Sequence, residues 1–178
     1  ATNATSRITD ESGRIREIVN NYARISFNFG PTLLSWLERH SAPVYQAILA
    51  ADSESRQRFS GHGSALAQAY NHMILPLANP RDRHTQVLWG IADFEHRFQR
   101  RPEGMWLPET AVDLETLDIL AEHGIRFTIL APHQAKRVKR IDGGEWLDVG
   151  GGKIDPTRPY LARLPSGRTI SLFFYDGG

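Results

Sequence analysis

The chain has 178 residues, a length that fits one domain or part of a larger one. Its content of 40% hydrophobic and 23% charged residues is ordinary for a globular protein and argues against wholesale disorder, collagen-like repeats and coiled coil. A net charge of +1 gives no electrostatic footprint for nucleic acid, and no apolar run approaches the ~20 residues of a membrane span. We therefore expect a globular domain with neither a nucleic-acid nor a membrane partner.

Cysteine is absent, which excludes disulfides, thiolate zinc sites and cysteine nucleophiles. This composition fits a reducing compartment, and a cytoplasmic location is the default expectation. The seven histidines lack the spacing of a helical zinc motif, so the sequence predicts no metal and no cofactor. No phosphate-binding glycine loop, GxSxG turn or dinucleotide fingerprint is found, which argues against kinase, serine hydrolase and dehydrogenase functions.

Helices and strands alternate in the predicted structure of the first half of the chain. Residues 1–12 are small and polar and are expected to form a flexible arm. Apolar spacing predicts a short helix over residues 15–22 and a strand over residues 25–29. Two further helices are predicted over residues 31–40 and from Ser41 to about Phe59. The segment 65–77 is interpreted as a short strand with an irregular end.

The second half continues the same alternation. Asn79 and Pro80 form a helix start, and the longest predicted helix extends from there to about Phe98. A strand over 104–107, a helix over 113–123 and a strand over 125–130 follow. A basic loop at 136–140 and a glycine-rich excursion lead to a β-hairpin over 160–164 and 168–175. The repeated order predicts an α/β fold with mostly parallel strands, and residues 13–178 are expected to form an incomplete, TIM-like (β/α) barrel.

Polar or aromatic residues follow, or end, each predicted strand. Ligands of parallel α/β folds bind at the carboxyl ends of the strands, because the loops converge there. The candidate site residues are Asn28, His72, Trp106, Glu109, His133 and Asp176. Each single position also suits a turn-former or a helix cap, so the six residues together indicate a site more strongly than any one of them does.

Glu109 is the leading candidate for chemistry. It follows an apolar strand and a proline and lies close in sequence to Trp106. A rigid mount, partial desolvation and a neighbouring ring are the ingredients of a positioned nucleophile or acid. The competing interpretation is that Glu109 caps the helix beginning near Asp113, and the residues alone leave both open.

Three segments, in the same order and spacing, resemble glycoside hydrolase family 57. Residues 101–112, which contain the sequence Trp-Leu-Pro-Glu at 106–109, resemble the nucleophile motif of that family. Residues 26–34 resemble an early strand and turn, and residues 72–77 resemble a His-Pro-Ile-Leu-Pro-Leu segment. The resemblance extends from about residue 14 to 135 and is to the central part of the catalytic barrel in a divergent bacterial subgroup.

The resemblance implies a (β/α)7 barrel and a retaining enzyme that acts on α-glucans or related α-linked sugars, by hydrolysis or by glycosyl transfer. It assigns Glu109 as the nucleophile. Retention needs a second carboxyl group about 5 to 5.5 Å away, which in the family is an aspartate. Asp176 is the candidate within the chain, although its setting matches the family motif poorly and we expect the acid beyond residue 178. The substrate would be an oligo- or polysaccharide, with Trp106, Asn28, His72 and His133 as candidate contacts to it.

Two departures from the family pattern keep other functions open. Nothing in residues 1–25 resembles the opening His-Gln-Pro motif, and Ser64 stands where many members carry a glutamate. A noncatalytic carbohydrate-binding or assembly module is one alternative, because the chain as given lacks an evident acid and base. A metal-dependent polysaccharide deacetylase, which would share a barrel of this kind, is another.

Overall fold

The computed structural model describes residues 4–176, and this part of the chain begins with a β-hairpin. Strand β1 (Thr5–Thr9) pairs antiparallel with β2 (Ile15–Asn20). The Asp10 carboxylate closes the turn by accepting hydrogen bonds from the backbone N–H groups of Ser12 and Arg14. The arm expected over residues 1–12 is therefore wrong for residues 5–9, while residues 1–3 lie outside the described part. The helix expected over residues 15–22 is also wrong, because β-branched residues in this segment favour the hairpin strand.

Four α-helices lie where the sequence predicts them. They are α1 (Pro31–His40), α2 (Ala42–Arg58), α3 (Pro80–Phe98) and α4 (Leu114–Glu122). The start of α3 is set by Asn79, whose side-chain oxygen accepts from the Asp82 N–H at 2.9 Å. None of the helices in residues 4–176 combines the length and the apolar character needed to cross a membrane.

The remaining strands are short. They are β3 (Ala67–Gln68), β4 (Met105–Trp106), β5 (Phe127–Leu130), β6 (Arg137–Val138), β7 (Leu147–Asp148), β8 (Tyr160–Arg163) and β9 (Thr169–Phe174). The predicted hairpin near the end of the chain is confirmed as β8 and β9. The basic loop is not wholly irregular, because β6 and β7 pair antiparallel within that region. The strand expected over residues 25–29 is reduced to a single bridge at Phe27.

Parallel pairings connect these strands into an open arc. Phe27 bridges to Ala65, β3 pairs with β4, Gly104 bridges to Phe127, and β5 pairs with β9. The antiparallel strand β8 then lies on the outer side of β9. The mixed α/β fold is confirmed, but the expectation of mostly parallel strands is wrong, because three of the five strand pairs in residues 4–176 are antiparallel. The sheets of this part of the chain are small and do not close into a barrel.

Helix α3 packs unusually close to the arc at Gly90. A Cβ atom at this position would overlap the carbonyl oxygen of Gln68 in β3. Val87, Ile91 and Phe94 of the same helix are buried in the core. The glycine therefore sets the distance between the longest helix and the strand that precedes the candidate site.

We expect Gly90→Ala to lower the free energy of unfolding by about 1–3 kcal/mol, because the added methyl group meets backbone that cannot rotate away. Helix propensity alone predicts the opposite sign, a gain of about 1 kcal/mol. Urea denaturation measures the difference. The control is Ala92→Gly on the exposed side of α3, where loss of propensity should cost about 1 kcal/mol. A stabilising effect of Gly90→Ala would contradict the close approach.

Helices α3 and α4 meet at a histidine pair. His84 Nδ1 and His123 Nε2 are 3.3 Å apart, so one neutral ring donates to the other. Burial lowers the pKa of His123 below its ordinary value, the charges of His84, Arg101 and Arg168 act in the same direction, and Glu122 opposes them. The folded protein therefore binds its proton on His123 less readily than the unfolded chain does.

This difference makes stability depend on pH. Because the folded-state pKa of His123 is the lower one, its contribution is complete above about pH 6.5 and is lost as the pH falls through the folded-state value. We expect the urea midpoint of the wild type to fall between pH 7.5 and pH 5.5, and the fall to be smaller in His123→Gln. Equal pH dependence of the two proteins would show that His123 is not the source of the pH dependence.

Candidate active site

The carboxyl ends of the arc bring the candidate residues to one edge of the fold. Because the pairings from Phe27 to β9 are parallel, the segments that follow them leave on the same side. Asn28 follows the first bridge, and His72 lies four residues beyond β3. Glu109 follows β4, His133 follows β5, and Asp176 follows β9.

Glu109 lies in a constrained turn. It is the central residue of a single 3-10 turn, Pro108–Thr110, and its φ of 55° lies in the left-handed region that non-glycine residues rarely adopt. Thr110 shares this conformation, with φ of 53°. Gln134 holds the turn in place, since its Nε2 donates to the Thr110 carbonyl oxygen at 2.8 Å. The carboxylate is thus mounted on a turn that the end of β5 supports.

The capping interpretation of Glu109 is wrong. The N-cap of α4 is Asp113, whose carboxylate accepts from the Thr116 N–H at 2.7 Å. Partial burial raises the pKa of Asp113, but hydrogen bonds with Thr116 and the charge of Arg83 outweigh it and hold the pKa below its ordinary value. The Glu109 side chain is 76% exposed. The partial desolvation expected for Glu109 is therefore absent, and the carboxylate is open to solvent.

His72 is the candidate that contacts Glu109 directly. Its Nε2 lies 3.4 Å from Oε1 of Glu109, and its backbone also has a positive φ, 53°. A carboxylate oxygen can only accept, so a hydrogen bond here requires the imidazole form with a proton on Nε2. Two residues from different loops, both in left-handed conformations, therefore meet at this edge.

Arg83 fixes the two loops relative to each other. Its buried guanidinium donates to the carbonyl oxygens of Pro76 and Ala78, shortly after His72 in the sequence. It also pairs with Asp113, shortly after Glu109 in the sequence, at 3.2 Å. One side chain of α3 thus positions both segments that carry the His72 and Glu109 contact.

Gln68 is a site residue that is not among the candidates predicted from the sequence. It ends β3 opposite Trp106 of β4 in the parallel register, and its side-chain oxygen accepts from Asn28 Nδ2 at 2.6 Å. Gly30 passes so close that a Cβ there would lie 2.6 Å from Gln68 Nε2. A polar residue in the buried run 65–69, at the carboxyl end of a strand, is the signal that could have identified it.

The other candidates take less direct positions. Trp106 is half-buried on β4, His133 is exposed in the turn after β5, and Asp176 is exposed two residues after the end of β9. The strand order β4, β5, β9 puts Asp176 two strand spacings, or about 10 Å, along the arc from the strand that precedes Glu109. In residues 4–176, no three His, Asp or Glu side chains form a group that could hold a metal ion.

Parallel pairings with polar residues collected at their carboxyl ends define an α/β domain of the class that binds ligands at that edge. The sequence profile described as Glycosyl hydrolase family 57 matches residues 13–177. The chain therefore belongs to glycosyl hydrolase family 57, a family of carbohydrate-active enzymes, which confirms the resemblance.

Solved structures share the fold. The 4-alpha-glucanotransferase from Thermococcus litoralis matches 88% of this chain and 22% of its own, with 21% identity and a TM-score of 0.60. A putative polysaccharide deacetylase from Mycobacterium smegmatis matches 88% of this chain and 43% of its own, with 17% identity and a TM-score of 0.54. A GH57-type branching enzyme from Pyrococcus horikoshii matches 83% of this chain and 29% of its own, with 21% identity and a TM-score of 0.50.

These identities are low enough that the likeness concerns the fold alone. The chain spans between 22% and 43% of the length of these three structures. Among curated proteins, no significant match to the chain exists.

Proposed function

We propose that the chain carries the nucleophile of a retaining enzyme that acts on α-glucans or related α-linked sugars. The observation that carries the proposal is the exposed Glu109 carboxylate, held in a left-handed turn at the carboxyl edge of the arc. Family membership supports it, because Glu109 lies in the segment that resembles the nucleophile motif. A turn with this conformation costs energy, and such residues are concentrated at functional sites.

In the proposed reaction, a Glu109 carboxylate oxygen attacks the anomeric carbon while the bond to the leaving oxygen breaks. A second carboxyl group gives its proton to the leaving oxygen, and the sugar becomes an ester of Glu109. Water or a sugar hydroxyl then attacks the same carbon, gives its proton to the second carboxylate and releases Glu109. Asp176 is the candidate acid and base within the chain, and to act it would have to reach Glu109 from a strand that lies two spacings, or about 10 Å, from β4.

His72 would hold the nucleophile for this attack. An N–H donated to Oε1 fixes the carboxylate plane and leaves Oε2 as the attacking atom. Trp106, Asn28 and His133 would contact the sugar, with Asn28 acting together with its partner Gln68. Capture by water would give hydrolysis, and capture by a sugar hydroxyl would give glycosyl transfer from the same intermediate.

The test is covalent labelling of the natural protein that carries these residues. It is incubated with an activated α-glucosyl fluoride, fluoride release is followed, and the Glu109 peptide is searched for a hexose adduct by mass spectrometry. We expect release together with an adduct on that peptide. Release with an adduct on another residue, or no release at all, would contradict Glu109 as the nucleophile.

The same samples distinguish the alternatives. A noncatalytic sugar-binding module would bind maltooligosaccharides without releasing fluoride, and Glu109→Gln would bind them equally well. A polysaccharide deacetylase would release acetate from an acetylated glycan, and its activity would depend on an added divalent metal. The match to a putative deacetylase concerns the fold and does not favour that chemistry over glycosyl transfer.

A further inference from the structure

An open cleft lies beside the Glu109 site, between the start of α1 and the end of β3. Its volume is about 500 Å3, within the range of small-molecule sites. Trp36 lines it from α1, and Gln68, Tyr70, Asn71 and His72 line it from the other side.

One wall of the cleft is an exposed aromatic ring. Trp36 is 54% exposed, although its ring packs on His40 with a centroid distance of 5.2 Å, which fixes its orientation. The opposite wall carries Tyr70, whose ring contacts Trp89 edge to face at 5.5 Å. Large aromatic surface that is held rigid and left exposed in a concave site is typical of ligand contact rather than of packing.

The floor of the cleft supplies hydrogen-bonding groups. Gln68 is buried, and its side-chain oxygen accepts a hydrogen bond from Asn28. Its Nε2 makes no hydrogen bond within the part of the chain that the structure describes, residues 4–176. Gly30 has no side chain to cover that nitrogen. Asn71 is exposed beside it, and its backbone is fixed by a 2.7 Å hydrogen bond to the Gln86 side chain. The cleft thus combines an aromatic wall with free amide groups.

This combination matches a pyranose ring. A glucosyl unit presents a face of C–H groups that suits an indole ring, and a rim of hydroxyls that amide groups can bind. A phosphate or nucleotide fits less well, since the side chains of the cleft include no arginine or lysine.

His72 joins the cleft to the nucleophile. It lines the cleft and also contacts Glu109 at 3.4 Å, so a ligand in the cleft lies next to the reacting carboxylate. We propose that the cleft is a subsite for a second α-linked glucosyl unit of the same chain, with Trp36 stacking on its ring and Gln68 and Asn71 bonding its hydroxyls. This inference rests on the proposed function, and it adds where the neighbouring sugar binds.

The test measures binding without turnover. Maltooligosaccharides of two to seven units are titrated calorimetrically into Glu109→Gln and into the same protein with Trp36→Ala, Trp36→Phe or Asn71→Ala. We expect Trp36→Ala to weaken binding of the longer chains at least about fivefold, and Trp36→Phe to restore most of it, because the aromatic stack is kept. Asn71→Ala should weaken binding in the same direction.

The matched control is Trp146→Ala. Trp146 is 58% exposed but lies near β7, where its ring packs under Lys139. We expect its removal to leave binding unchanged. Equal binding by the Trp36→Ala and Trp146→Ala proteins would overturn the subsite. Absence of binding by the Glu109→Gln parent protein would also overturn it.

The outcomes also separate this inference from the proposed function. If the wild type forms the glycosyl adduct on Glu109 but Trp36→Ala binds normally, the subsite is wrong and the nucleophile stands. If Trp36→Ala weakens binding but no adduct forms, the cleft binds sugar and the proposed chemistry is wrong.

Discussion

We expect Glu109→Gln to lower kcat for an activated α-glucosyl fluoride by at least about 10⁴-fold, the scale on which loss of an enzymatic nucleophile acts. Glutamine keeps the size of the side chain and can still meet His72, but its amide oxygen is too weak a nucleophile to form the glycosyl ester. The rate is measured as fluoride release over time, and the adduct is measured by mass spectrometry of the Glu109 peptide.

Loss of folding cannot account for such a loss of activity. The Glu109 carboxylate is exposed and its described contact is a single 3.4 Å approach, so the free energy of unfolding of Glu109→Gln should stay within about 0.5 kcal/mol of the wild-type value. Glu145→Gln is the matched control, because Glu145 is an exposed glutamate in the segment between β6 and β7. A Glu109→Gln protein that retains a tenth of the wild-type rate would rule out covalent catalysis by this residue.

The helices could be predicted because their signals are local. In α3, the Asn79 cap, Pro80 at the first position and the apolar periodicity all act within one segment, and the helix ends where the pattern does. The hairpin β1–β2 was mispredicted for the complementary reason. Its turn depends on Asp10 accepting from the backbone of Ser12 and Arg14, while the apolar residues of β2 happen to suit helical spacing.

The position of Glu109 was predictable, but its surroundings were not. A carboxylate after a short strand can be placed at the edge of a parallel sheet from the order of the elements alone. The support of its turn by Gln134 and the contact with His72 join residues 24 and 37 positions apart, and pairings at that separation leave no periodic trace. Gln68 is not among the predicted residues because it lies within a short apolar strand segment. Its partner Asn28 is 40 positions away in the chain.

The arc itself rests on a buried ion pair that sequence patterns do not reveal. Arg100 Nε and Nη2 donate to the Asp52 carboxylate at 2.8 and 2.7 Å, and Asp52 is only 2% exposed. Both residues also bond the backbone of Ala65, which bridges to Phe27. The pair thus ties α2 and the end of α3 to the first parallel pairing, next to Asn28.

We expect Asp52→Asn to lower the free energy of unfolding by about 3–5 kcal/mol, because it leaves the guanidinium of Arg100 buried without a counter-charge. Asp142→Asn is the control, since its pair with Arg140 is exposed and should contribute less than about 1 kcal/mol. Urea denaturation of both variants measures the difference.

A double variant separates the charge from the packing. Asp52→Asn combined with Arg100→Leu removes the unpaired charge, so it should unfold at a higher urea concentration than Asp52→Asn alone. A double variant that is less stable than Asp52→Asn would mean that the contact of the Arg100 guanidinium with the Phe94 ring, rather than its ion pair with Asp52, holds this region together. In either case the segment that leads from Ala65 into β3 depends on Arg100, and with it the positions of Gln68 and Asn28 beside the proposed subsite.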